Sequence, residues 1–134
     1  MIFIKKRISF FIDRKKELLN SNVSLHYHDK GNRAARLREK AQIESEKFET
    51  PPFNNFIVEV LICPPTRRKL DPPNLYPTVK HLIDGMTDNN WWPDDDWTHM
   101  KKMSFSYGGL SERKGAKGDF QVIITVTEIE EELI

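Results

Sequence analysis

The sequence predicts an α+β fold, one small mixed sheet with two main helices packed on it, in the order β-α-β-α-β-β. Three observations carry this. Four stretches alternate apolar and polar residues or are rich in β-branched residues, two stretches between them shift to helical spacing, and clusters of Gly, Pro, Asn and Asp separate the six. Neither a repeat nor a low-complexity linker breaks the chain. Its 134 residues therefore read as a single domain, 1–134, able to bury somewhat more than about 65% of its unfolded surface.

Residues 2–12 come first. Lys5, Lys6 and Arg7 interrupt their apolar run, and the remaining "ISFFI" is too short for a signal-peptide core or a membrane span, so an alternating strand is expected. "NRAARLREKAQIESEKF" reads as a polar helix, basic at its front, with Asn32 as its cap. In "FNNFIVEVLIC", Phe56, Val58, Val60 and Ile62 fall at period two with further apolar residues between them, the pattern of a central strand buried on both faces. Cys63 at its end reads as a buried thiol. As the one cysteine it can form no internal disulfide, which suits a reducing cytoplasm.

The period then changes. Leu75, Val79, Leu82, Ile83 and Met86 recur at helical spacing, and Pro77 is tolerable only in a first turn, so the helix begins between Asn74 and Tyr76, with Gly85 a small cost near its end. "THMKKMSFSY" and "DFQVIITVTE" follow as strands joined by a loop containing Gly and Lys. The acidic tail "EIEEELI" carries no structural signal.

The net charge of +1 conceals a division. Residues 1–47 hold 12 Lys and Arg against 6 Asp and Glu, whereas residues 48–134 hold 9 against 14, so the halves are +6 and −5. A basic face for a polyanion, with carboxylates gathered elsewhere, would produce this division, and so would an ordinary solvated surface.

Chemistry concentrates around the second helix. Asp71 and Asn74 stand at its entrance, Lys80 and Asp84 lie along it as i, i+4 neighbours off the apolar stripe, and Asp94, Asp95 and Asp96 follow in "WWPDDDW". Helical side chains lean toward the N-terminus, so the Lys80 ammonium is expected near Asp71 and Asn74. Acid, amide, lysine and a helix start that offers free N–H groups are what metal-assisted phosphodiester hydrolysis requires: oxygens for Mg²⁺ and a cation for developing charge. A plainer reading competes. In it the Pro-rich turn caps a helix, Lys80 and Asp84 form a surface pair worth about 0.3–0.5 kcal/mol, and the acids are a solvated turn.

The pattern Asp71-x-x-Asn74-Leu75-x-Pro77-Thr78-x-Lys80-x-x-x-Asp84-Gly85, followed by Trp92-Pro93-Asp94-Asp95, resembles the RusA-type Holliday junction resolvases of phages, prophages and bacteria. "LNSNVSLHYHDKGNRAARLREKA" is similar to the family's N-terminal stretch, and together the matches run from about Leu19 to the last strand. The resemblance implies a homodimeric, cytoplasmic, Mg²⁺-dependent (or Mn²⁺-dependent) endonuclease that cuts branched DNA at paired positions, with neither a membrane nor a small-molecule cofactor involved. It implies Asp71 and Asp95 as metal ligands, Asn74 as an orienting amide and Lys80 as the catalytic lysine, with Asn20, Asn22 and His26 lining the site. The chain departs from the motif at Pro73, where the family has a second aspartate. Asp94, Asp96 or Asp84 would have to supply the missing oxygen, Asp84 awkwardly, since about ten helical residues from Asn74 amount to about 15 Å of rise.

Arg33, Arg36, Arg38 and Lys40 on the first helix, with Arg67, Arg68 and Lys69 before Asp71, are the expected phosphate contacts. Trp91, Trp92 and Trp97 either stack on exposed bases or close the core under the acidic loop. His81 and His99 read as surface or packing residues. Two rival functions are a branched-DNA-binding protein that lost its nuclease activity with the change to Pro73, and a mobile-element interaction protein whose basic half docks an acidic partner.

Overall fold

The computed structural model describes residues 4–49 and 52–130. Strand β1 (Lys5–Ile12) is followed by α1 (Tyr27–Glu46), β2 (Phe56–Cys63), a 3-10 turn (Pro72–Leu75), α2 (Tyr76–Asp88), β3 (Met100–Tyr107) and β4 (Phe120–Glu128). This is the expected α+β order. Residues 2 and 3 of the expected first strand and the end of the acidic tail lie outside the described residues.

The sheet order is β1-β4-β2-β3, with β2 and β3 parallel and the other two pairings antiparallel. Register places Ile8, Ile124 and Val60 in one cross-strand row, and Phe10, Val122 and Ile62 in the next. All six are buried, and Leu37 and Ala41 of α1 join them in one core with Val79, Leu82, Ile83 and Met86 of α2. Each large apolar side chain so buried contributes about 1.5–3 kcal/mol, and the core is one continuous layer between the sheet and the helix pair.

β2 is central, as its pattern predicts, but it is not buried on both faces. Both helices cover the Phe56/Val58/Val60/Ile62 face, while on the other face Ile57 and Leu61 are half-buried, Glu59 is exposed and only Cys63 at the strand end is buried. A two-layer fold leaves one sheet face to solvent, so the intervening apolar residues of "FIVEVLIC" reflect β propensity rather than a second layer.

α1 also begins earlier than its sequence suggests. Its cap is His26, whose Nδ1 accepts from the His28 backbone N–H at 3.2 Å, and Asn32 lies within the helix. Gly31 and Asn32 are weak helix formers, but tertiary ties offset them. The Arg33 guanidinium donates to the carbonyls of Leu18 at 2.8 Å and Lys15 at 2.6 Å, clamping the chain before α1 against its first turns.

Gly85 has more than a small helical cost. A Cβ there would fall on the Arg38 carbonyl oxygen and within 2.6 Å of the Ala41 Cβ, so its absence lets α1 and α2 close. Side chains lock the same contact. Arg38 donates twice to Asp88, at 2.7 and 2.8 Å, Gln42 donates to Asp88 at 2.6 Å, and Asn89 donates to the Ser45 hydroxyl at 2.8 Å. No helix among the described residues is long and apolar enough to cross a membrane.

Candidate active site

The Pro-rich segment folds as its residues dictate. Proline lacks an N–H and pre-sets φ, so Pro72 and Pro73 open the 3-10 turn and Pro77 sits in the first turn of α2, where no intrahelical donor is lost. Asp71 stands just before the turn. Its backbone carbonyl accepts from Asn74 N–H at 2.9 Å, while its carboxylate is exposed and has no hydrogen-bond or ion-pair partner among the described residues.

The loop carrying Asn20 and Asn22 is fastened to this helix entrance. Thr78, buried in α2, accepts from Leu19 N–H at 2.9 Å and donates to the Leu19 carbonyl at 2.6 Å. Ser21 N–H donates to the Asn74 carbonyl at 2.9 Å, and its hydroxyl to Asn74 Oδ1 at 3.4 Å. Asn20 bends the loop by accepting from Asn22 N–H at 2.8 Å. His26 caps α1, and its ring stacks on Tyr27 and His28.

Lys80 does not turn back to Asp71 and Asn74. Its ammonium lies 2.5 Å from Asp84 Oδ1, one turn further along α2, and 3.3 Å from Asp95 Oδ2 in the turn beyond the helix. The N-terminal lean of helical side chains is outweighed because two carboxylates converge on one point, and the cation occupies it. Burial alone would lower the Lys80 pKa, but the hydrogen bond to Asp84 and the charges of Asp95 and Asp84 outweigh it and hold the ammonium above its ordinary value. His81 joins from the side, with Nδ1 3.7 Å from Asp84 Oδ2. Burial pushes its imidazole below its ordinary value, against the pull of Asp84.

The three consecutive acids divide their work. Asp94 accepts from the Asp95 backbone N–H at 2.7 Å, and Asp96 accepts from Thr98 N–H at 3.0 Å and from the Thr98 hydroxyl. Both carboxylates shape the turn. Asp95 alone of the three reaches Lys80. Beneath the turn, Trp91 and Trp92 are buried and bonded, the first to the Ser45 carbonyl at 3.2 Å and the second to the Thr87 hydroxyl at 2.6 Å. They close the core and are unavailable to bases; Trp97, 79% exposed, is not so confined.

The motif residues therefore form two groups. Asp71 and Asn74 sit at the helix entrance with the N-terminal loop, and Lys80, Asp84 and Asp95 meet further down the helix. Helical spacing pairs Lys80 with Asp84 but makes Asp84 an awkward replacement metal ligand; His81 reads from sequence as a surface or packing residue, and spacing assigns no role to Thr78 or Ser21. Thr78 stands inside the quoted motif, where a buried hydroxyl in a first helical turn signals a tie to another segment.

The expected phosphate contacts also differ in availability. Arg33 is committed to Asp29 and to backbone carbonyls, Arg38 to Asp88, and Lys40 to Glu17 at 2.7 Å and the Phe11 carbonyl. Arg36, Arg67, Arg68 and Lys69 are exposed, and their side chains have no hydrogen bond or ion pair among the described residues.

Asp84 and Asp95 bring two carboxylates to the Lys80 ammonium, and among the described residues no group of three or more His, Cys, Asp or Glu side chains is placed to hold a metal ion. Asp84 Oδ1 and Asp95 Oδ2 cannot be farther apart than the sum of their distances to the ammonium, 5.8 Å. Mg²⁺ is commonly held by one or two carboxylates while keeping several waters. No protein-family model matches the chain, and no curated protein matches it.

Proposed function

We propose that this protein is a metal-dependent endodeoxyribonuclease of the RusA type that acts on branched DNA. The observation that carries the reading is the convergence of Asp84 and Asp95 on the Lys80 ammonium, which joins two of the residues named by the motif resemblance, Lys80 and Asp95, in one partly exposed cluster. Asp95 and Asp84 would hold Mg²⁺, with Asp84 taking the place of the motif acid replaced by Pro73. Bound there, Mg²⁺ supplies a Lewis acid for the phosphate and a more acidic water.

The chain's own groups do the rest. Lys80, displaced from the carboxylates, offers its ammonium to the charge that develops on the phosphate oxygens or the leaving oxygen. Asp71 and Asn74 at the helix entrance orient the strand, and Arg36, Arg67, Arg68 and Lys69 neutralise its phosphates. Paired cuts on symmetry-related strands need two symmetry-related sites, so the active form is a homodimer.

The test is incubation of a synthetic four-way junction with the protein in Mg²⁺ or in chelator. The expected result is symmetric nicking that needs the metal and is lost in Lys80→Ala and Asp95→Asn. Tight, junction-selective binding without nicking would replace this reading with that of a branched-DNA-binding protein. Equal, weak binding of junction and duplex at moderate salt would point instead to an interaction protein.

A further inference from the structure

Beyond the acidic cluster, the chain carries an open cleft of about 640 Å³ lined by Arg67, Arg68, Leu70, Tyr107 and Leu110. It lies where the parallel neighbours β2 and β3 end, the side of a parallel pair at which ligands settle in open sheets. Its walls are fixed to each other. Gly108 N–H donates to the Ile62 carbonyl at 2.9 Å, and Ser111 N–H to the Pro64 carbonyl at 2.9 Å, which ties the segment after β3 to the segment after β2.

The lining has two chemistries. Arg67 and Arg68 are exposed, and among the described residues their guanidiniums have no partner and no carboxylate lines the cleft. Planar guanidiniums suit phosphate oxygens. Tyr107 presents a ring that is 55% exposed, beside Leu70, which packs on the core, and Leu110. An exposed ring with apolar flanks suits the flat face of a base. Lys69 and Asp71 continue the same segment, so the cleft adjoins the helix entrance.

We infer that this cleft binds one unstacked nucleotide of a DNA strand, with its phosphate on Arg67 and Arg68 and its base on Tyr107. The inference rests on the nuclease reading for its choice of DNA, and it names what that reading leaves open: how a branched substrate, which exposes unstacked bases, is told from duplex.

Binding is measured without divalent metal, so that hydrolysis plays no part, with the full chain and three probes: a four-way junction carrying 2-aminopurine at the branch, a single-stranded oligonucleotide and a fully paired duplex. Tyr107→Ala is expected to weaken junction and single-strand binding about tenfold, the loss of one base–aromatic stack, with duplex binding and the salt slope unchanged. Tyr107→Phe keeps the ring and should keep the affinity. Arg67→Gln with Arg68→Gln should reduce the salt slope by about 1 on all three probes. Thermal melts show that each variant is folded.

Equal junction binding by wild type and Tyr107→Ala, or loss in Tyr107→Phe matching that in Tyr107→Ala, overturns the stacking site and leaves the nuclease reading intact. Tyr107-dependent single-strand binding by a protein that never cuts a junction supports the cleft and defeats the nuclease reading. No binding of any probe defeats both.

Discussion

Replacing Lys80 with Met removes the charge that Asp84 and Asp95 share while keeping most of the apolar stem. With the ammonium 2.5 Å from one carboxylate and 3.3 Å from the other, the two oxygens are at most 5.8 Å apart. Their mutual repulsion, present in wild type and variant alike and offset in wild type by the shared cation, is at least about 0.7 kcal/mol in bulk water and about 3 kcal/mol at an effective dielectric of 20. The side chains are partly exposed, 41% for Lys80 and 22% for each aspartate, so what the variant loses is two ion pairs worth about 0.2–1 kcal/mol each. Urea denaturation at pH 7 should therefore show Lys80→Met less stable by about 0.4–2 kcal/mol without divalent metal. Saturating Mg²⁺ should stabilise this variant more than wild type, because no ammonium competes for the carboxylates. The loss should shrink in an Asp95→Asn background to that of the one remaining pair, Lys80–Asp84. Equal Mg²⁺ stabilisation of variant and wild type, or an undiminished loss beside Asp95→Asn, would refute the shared cation position.

Asp84→Asn should slow junction cutting as severely as Asp95→Asn, whereas Asp94→Asn, whose amide oxygen can still accept from the Asp95 N–H, should cut nearly as wild type in the same assay. Gly85→Ala gains about 1 kcal/mol of helix propensity but forces a methyl group onto the Arg38 backbone, an overpacking cost of about 1–3 kcal/mol, so a thermal melt should show a net loss of stability. The hydrogen bonds from Arg38 and Gln42 hold the Asp88 carboxyl down to about 2. A depressed carboxyl contributes stability that is full above its ordinary value near 4 and is lost as pH falls through about 2. Denaturation midpoints followed down this range should therefore fall less steeply in Asp88→Asn than in wild type.

The elements were legible because each has a period its residues hold to. Alternation in "KRISFFI" and the Leu75/Val79/Leu82/Ile83/Met86 spacing map directly onto the faces that meet in the core. What sequence could not supply came from contacts between segments distant along the chain. The start of α1 depends on Arg33 reaching back to residues 15 and 18, the value of Gly85 depends on how closely α1 approaches, and the open face of β2 depends on both helices choosing the other side.

The site divides in the same way. Lys80 and Asp84 are one helical turn apart, so their meeting follows from spacing alone. The choice of Asp95 over Asp94 and Asp96 does not: it follows from which carboxylates the turn uses for its own N–H groups. The direction of Lys80 is not legible from spacing, because the N-terminal lean governs only the first bonds of a long side chain and two converging carboxylates draw its ammonium the other way. The basic residues of α1 looked interchangeable as phosphate contacts, yet Arg33, Arg38 and Lys40 hold the fold and Arg36 does not.

The central claim is that Asp84 and Asp95 hold one divalent cation where the Lys80 ammonium now lies. Crystals of the protein grown with Mn²⁺ test it directly through the metal's anomalous scattering. The account predicts a single peak between the two carboxylates, within about 2–2.3 Å of an oxygen of each, with the Lys80 ammonium moved away. A peak on Asp71 without Asp84 or Asp95, or no peak at Mn²⁺ concentrations that support junction cutting, would contradict it.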